Sequence, residues 1–119
     1  MCSRKIKLPA TKKKVNDAVD FIDSNYSRID MSLNLVADTI GVNASYLSNI
    51  FKKEKGCSLS KYLTQTRLEQ AKKYLTEYPD KTLIEIAESI GYSDVYYFSK
   101  NFKKYYGISP SKYQEERKM

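Results

Sequence analysis

Apolar residues recur along the chain at helical spacing, and polar or glycine-bearing stops interrupt them at short intervals. Val15, Ala18, Val19, Ile22 and Tyr26 fall at i, i+3, i+4, i+7 and i+11, one stripe of an amphipathic helix that begins near residue 11, with Thr11 as candidate cap. Ser32 then precedes Leu33, Val36, Ala37 and Ile40, and Gly41 stops the run. Asn43 follows as an N-cap for a third helix carrying Leu47, Ile50 and Phe51, which Gly56 ends. Two short helices joined by a three-residue turn containing glycine form a helix-turn-helix pattern. Ser58 or Ser60 can cap a longer helix running to about Tyr78, where Pro79-Asp80 breaks it. On that helix Tyr62, Leu63, Ala71, Tyr74 and Leu75 are placed to face the cores on either side.

The pattern then restarts. Leu83, Ile86, Ala87, Ile90 and Gly91 match Leu33, Val36, Ala37, Ile40 and Gly41 at an offset of fifty. After one extra residue in the turn, YFSKNFKKYYG at 97–107 matches YLSNIFKKEKG at 46–56. Ser58, Ser60, Lys61 and Tyr62 find their echo in Ser109, Ser111, Lys112 and Tyr113. Solenoid arrays need three or more repeats to build a continuous core, so two copies joined by a helix predict an all-α, bilobed fold. The expected layout is a basic tail or linker remnant over 1–10 and a domain over 11–119. Within that domain a first unit spans about 11–57, a linker helix about 58–78 and a second unit about 81–114.

Charge changes the picture by its distribution. The net charge is +7, and Arg4, Lys5, Lys7, Lys12, Lys13 and Lys14 supply six positive charges before residue 15. Residues 15–40 hold five Asp against Arg28, whereas 43–67 hold Lys52, Lys53, Lys55, Lys61 and Arg67 against Glu54. A locally positive surface attracts a polyanion; the bland alternative is a set of solvated helix faces. The basic run at 4–14 is read as a linker with incidental phosphate affinity. Cys2 and Cys57 sit in no metal or redox spacing and read as free thiols. No segment approaches the roughly 20 apolar residues needed to cross a bilayer, and no signal peptide is seen, so a soluble, cytoplasmic protein is expected.

The candidate chemistry lies on the second helix of each copy. With Leu47, Ile50 and Phe51 inward, Ser45, Ser48, Asn49 and Lys52 lie on the opposite face. With Phe98 and Phe102 inward, Val95, Tyr96, Ser99, Lys100 and Lys103 are left outside. Such a helix fits the major groove of DNA, where Lys can donate to guanine, Asn can pair with adenine and Ser can serve either base. Lys53, Lys61, Lys104 and Lys112, with the capping ends at Asn43 and Ser93, are the candidates for phosphates, which position a protein without choosing a sequence. Eleven tyrosines raise the question of stacking on single-stranded nucleic acid. Tyr46, Tyr62, Tyr97 and Tyr113 recur at matched positions and are read as core packing, with Tyr96 as the exception.

Residues 33–113 resemble the DNA-binding domain of the AraC/XylS family of bacterial transcription regulators, and the likeness runs from about 12 to 114. GYSDVYYFSKNFKKYYGISPSKY, with its terminal G-x-S-P-x-x-Y, follows the family signature almost throughout. The resemblance implies seven helices and two homeodomain-like helix-turn-helix subdomains joined by a long helix. It also implies double-stranded DNA as partner, with the second helix of each unit in successive major grooves, about 34 Å apart on an asymmetric site. Carried over by position, it picks Ser45, Ser48, Asn49, Tyr96, Ser99 and Lys100 as base-reading residues. Neither face carries the Arg or Gln often found there in the family, and the first offers only short side chains, so weaker discrimination is expected of the first unit. RNA polymerase is a further expected partner, and a sensor or receiver domain is expected elsewhere in the full-length protein.

An enzyme is the competing class. The chain has no histidine, no nucleophile motif, no glycine-rich phosphate loop and no clustered metal ligands, so no catalytic role, metal or cofactor is expected. A helical protein-interaction module that has kept the scaffold and lost DNA binding is the nearer rival.

Overall fold

The computed structural model describes residues 9–117. These form seven α-helices, with no strand among the described residues: α1 (Ala10–Asn25), α2 (Leu33–Ile40), α3 (Ala44–Lys55), α4 (Leu59–Glu77), α5 (Leu83–Ser89), α6 (Val95–Tyr106) and α7 (Pro110–Arg117). The expected all-α, seven-helix architecture is the one observed. Cys2, Arg4, Lys5, Lys7 and most of the predicted basic tail lie outside the described residues. The chain divides into two compact units. Among the described residues, one contains 9–24 and Ser32–Tyr62; the other contains Asn25–Met31 and 63–117.

In the first unit α1 starts one residue before the expected cap. Thr11 lies inside the helix, and the Pro9 carbonyl accepts from the Lys13 amide at 3.1 Å. The periodic stripe buries Val15, Ala18 and Ile22. Val36, Ala37, Leu47, Ile50, Phe51 and Leu59 supply the rest of the buried apolar set. Ser32 caps α2, accepting from the Leu35 amide at 3.1 Å, and Asn43 caps α3, accepting from the Tyr46 amide at 3.1 Å. Phe51 meets Tyr62 edge-on at 5.7 Å. The Tyr62 hydroxyl donates to Asp23 of α1 at 2.9 Å, and Lys12 of α1 pairs with Glu54 of α3 at 3.4 Å. Ser58, rather than Ser60, caps α4, accepting from the Lys61 amide.

Tyr26 leaves the stripe predicted for it. A turn closed by the Arg28 amide on the Asn25 carbonyl ends α1, and Tyr26 instead packs against the core of the second unit. There the Arg67 side chain fastens the segment, donating from Nε to the Tyr26 carbonyl at 2.8 Å and from Nη2 to the Arg28 carbonyl at 2.7 Å. Leu68, Ala71 and Leu75, at i, i+3 and i+7 of α4, bury against Ile86, Ala87, Ile90, Tyr92, Phe98, Phe102 and Tyr113. This core is rich in rings: Phe102 lies 5.9 Å from Phe98, 4.7 Å from Tyr106 and 5.9 Å from Tyr113. Burial, with Glu69 nearby, pushes the Tyr106 hydroxyl up to about 12. Thr82 and Glu85 form a reciprocal capping box at the start of α5, satisfying two amides that the helix cannot.

Gly91 is the constrained glycine of this unit. Its φ is +97°, and a Cβ there would lie 2.8 Å from the Tyr26 carbonyl oxygen and 2.9 Å from the Arg67 Nε. Both the backbone angle and the close approach therefore require glycine.

Candidate nucleic-acid interface

Each unit presents one helix whose buried stripe and exposed face are cleanly separated. On α3, Leu47, Ile50 and Phe51 are buried, Ser45, Asn49 and Lys52 are exposed, and Ser48 is half-buried. On α6, Phe98 and Phe102 are buried, Tyr96, Lys100 and Lys103 are exposed, and Ser99 is half-buried. The eight candidate base-reading side chains thus fall on two faces, four per helix, none of them sealed in a core. Val95 departs from its predicted place: it lies at i of the i, i+3, i+7 stripe with Phe98 and Phe102, and is half-buried against the second core.

The helix ends repeat closely. Gly56 and Gly107 both adopt the left-handed conformation (φ 78° and 79°) and donate to the Lys52 and Lys103 carbonyls at 2.8 and 2.7 Å. Lys52 and Lys53, like Lys103 and Lys104, occupy the last turn, where positive charge is favoured by the helix dipole whether or not a phosphate is present. Lys53, Lys61, Lys104 and Lys112 are all exposed.

The N-terminal ends differ. Asn43 caps α3 as predicted, but the cap of α6 is Asp94, whose carboxylate accepts from the Tyr96 amide at 2.9 Å. Ser93 is exposed one residue ahead of the cap. The repeat offset of fifty-one, applied to Asn43, points to Asp94 and not to the expected Ser93. Two of the tyrosines assigned to packing are also more open than predicted: Tyr46 is 43% and Tyr97 57% exposed. Tyr62 and Tyr113 do pack, and Tyr96, at 84% exposed, stands clear of the core. Tyr97 leans edge-on against Tyr92 at 5.9 Å, off the stripe of Val95, Phe98 and Phe102 that faces the core.

Among the described residues no group of His, Cys, Asp and Glu side chains is placed to hold a metal ion, and no helix is long and apolar enough to cross a membrane.

Two copies of a helix-turn-helix, each presenting a polar and cationic second helix, define a class of double-stranded DNA reader. Residues 36–116 match the family described as "Helix-turn-helix domain". The Msm operon regulatory protein of Streptococcus mutans is 38% identical over 107 residues, which are 90% of this chain and 38% of that protein. The probable transcription factor PqrA of Proteus vulgaris is 32% identical over 88% of this chain and 86% of its own length. The C-terminal domain of AraT, a response regulator from Geobacillus stearothermophilus, superposes with a TM-score of 0.85 at 35% identity, covering 91% of this chain and 88% of that one. The chain belongs to the AraC-type helix-turn-helix family, the DNA-binding domains of bacterial transcription regulators.

Proposed function

We propose that the chain binds double-stranded DNA at an asymmetric, two-part site, with α3 of the first unit and α6 of the second each entering a major groove. The observation that carries this reading is the twice-built helix whose buried stripe is sealed and whose opposite face is polar, cationic and unobstructed. In that role Ser45, Ser48, Asn49 and Lys52, and then Tyr96, Ser99, Lys100 and Lys103, meet base edges. Lys53, Lys61, Lys104 and Lys112 hold phosphates, as do the amides around Asn43 and Ser93. Because Asp94 already occupies the start of α6 with a negative charge, phosphate is held less well there than at Asn43. The chain acts by occupancy in the cytoplasm, not by catalysis. RNA polymerase, and a sensor or receiver domain in a longer regulator, are the partners this reading brings with it.

The test is selection of bound duplexes from a random-sequence library, followed by gel shifts of the selected duplex across a salt series. A two-part consensus, with affinity falling steeply as salt rises, is expected. No retardation even at low salt favours a protein-interaction module on the same scaffold.

A further inference from the structure

Beside α6 lies a polar cluster that includes none of the eight candidate base-reading side chains. Tyr92, 5% exposed in the turn before the helix, meets Tyr97 edge-on at 5.9 Å and Phe98 at a tilt at 5.7 Å. The Arg67 guanidinium of α4 lies 5.5 Å from the centre of the Tyr92 ring, held by its two bonds to the Tyr26 and Arg28 carbonyls. Hydrogen bonding links the Tyr92 hydroxyl with the side chains of Asn101, on α6 itself, and Thr64 of α4. Burial raises the Tyr92 hydroxyl above its ordinary value, opposed by the Arg67 charge and these two bonds. Burial likewise draws Arg67 down. One ring is thereby fixed on its face by a cation, at its tip by two elements and at its edges by two residues of α6.

We infer that the Arg67–Tyr92–Asn101 cluster sets the rotation of α6 about its own axis, making Tyr92 and Arg67 specificity-determining positioning residues of the second unit. The inference rests on α6 reading bases, as proposed above. Hydrogen bonds and a cation–ring contact are directional, whereas apolar packing tolerates slippage. A turn of about 20° on a helix of roughly 5–6 Å radius carries a surface atom about 2 Å. A base-edge hydrogen bond does not survive such a shift. Phosphate contacts through long lysines adapt to it, so loss of the cluster costs discrimination before it costs grip.

The experiment uses the whole chain, a duplex selected by the wild type from a random library, and an unrelated duplex of equal length. Tyr92→Phe removes the hydroxyl and leaves the ring packing; Arg67→Lys keeps the charge and loses the planar fork. For folded variants, affinity for the unrelated duplex is expected to stay within about twofold, since the phosphate contacts are untouched. Affinity for the selected duplex is expected to fall about threefold to tenfold, with base preferences relaxed only in the half-site protected by α6. A merely structural role lowers the melting temperature and leaves that ratio unchanged, and such a result in Tyr92→Phe overturns the inference. If Arg67→Lys does not fold, Tyr92→Phe decides alone. A wild type that selects no sequence under α6 removes the reading beneath the inference, and the inference with it.

Discussion

In the first unit Val42 follows the turn glycine and Ile50 lies buried on α3; at the matching places of the second stand Tyr92 and Asn101. Gly41 has open space around it, while Gly91 is pressed between a carbonyl and a guanidinium. Ser32 caps α2 with Leu35 at the position where Glu85 completes the box on Thr82. The copies share their Gly56 and Gly107 stops, their Phe51 and Phe102 anchors and their lysine pairs, whereas α2 is capped by Gly41 and α5 by Ile90. They differ in what flanks the apolar stripe of the second helix: on α3 an ion pair from Glu54 to Lys12, on α6 the Arg67–Tyr92–Asn101 cluster. One chain thus contains two solutions to the same mechanical problem, and the second is the more exacting.

The heaviest blow to this comparison comes from the anchors. Phe51→Ala and Phe102→Ala should each cost about 3–5 kcal/mol, measured by urea unfolding. Phe102 should cost at least as much, because its ring meets three others; a smaller loss there would mean that the aromatic core adds no cohesion. Lys100→Ala should remove about 1–3 kcal/mol of discrimination at one base pair. Asn49→Ala should remove less, and a selected half-site more constrained under α3 than under α6 would reverse the ranking of the units. Asn43→Ala and Asp94→Ala should each lose about 1 kcal/mol of stability, whereas Asp94→Asn, which keeps a capping oxygen, should lose little. Lys53→Ala and Lys104→Ala should weaken selected and random duplexes alike, each reducing the salt slope by about 1.

The smallest effect is one of pH. Bonding to the Thr82 amide holds the Glu85 carboxyl below its ordinary value. Its contribution to stability is therefore full above the ordinary carboxylate range and is lost as pH falls through the lowered folded value. Glu85→Gln should remove that part of the acid sensitivity in a melt series, and no change at Leu35 in the first unit should mimic it.

Most of the helices were legible because their signals are local. A glycine stop, a short polar cap and an apolar stripe at helical spacing act within one or two turns, and each recurs in the second unit, with one extra residue in its turn. The exposed faces of α3 and α6 followed from the same periodicity. What escaped was set by contacts distant in sequence or by phase. Arg67 looked like one more positive charge, since its partners Tyr26 and Arg28 lie about forty residues earlier. Tyr26 continued the α1 stripe perfectly well until a turn took it elsewhere. Asp94 was hidden by the extra residue in the second turn, which shifts the register between two offsets. Leu68 was overlooked even though it completes the stripe of Ala71 and Leu75.

The separation of stripe from face on α3 and α6 also makes the chain a pair of interchangeable type blocks. On the proposed reading, Ser45, Asn49 and Lys100 are exposed and Ser48 and Ser99 half-buried, all off the buried stripes, so the lettering of either block can be recut while its shank stays in place. A library varied at those positions in one helix at a time would draw new operators one half at a time, with the other half serving as a fixed register mark.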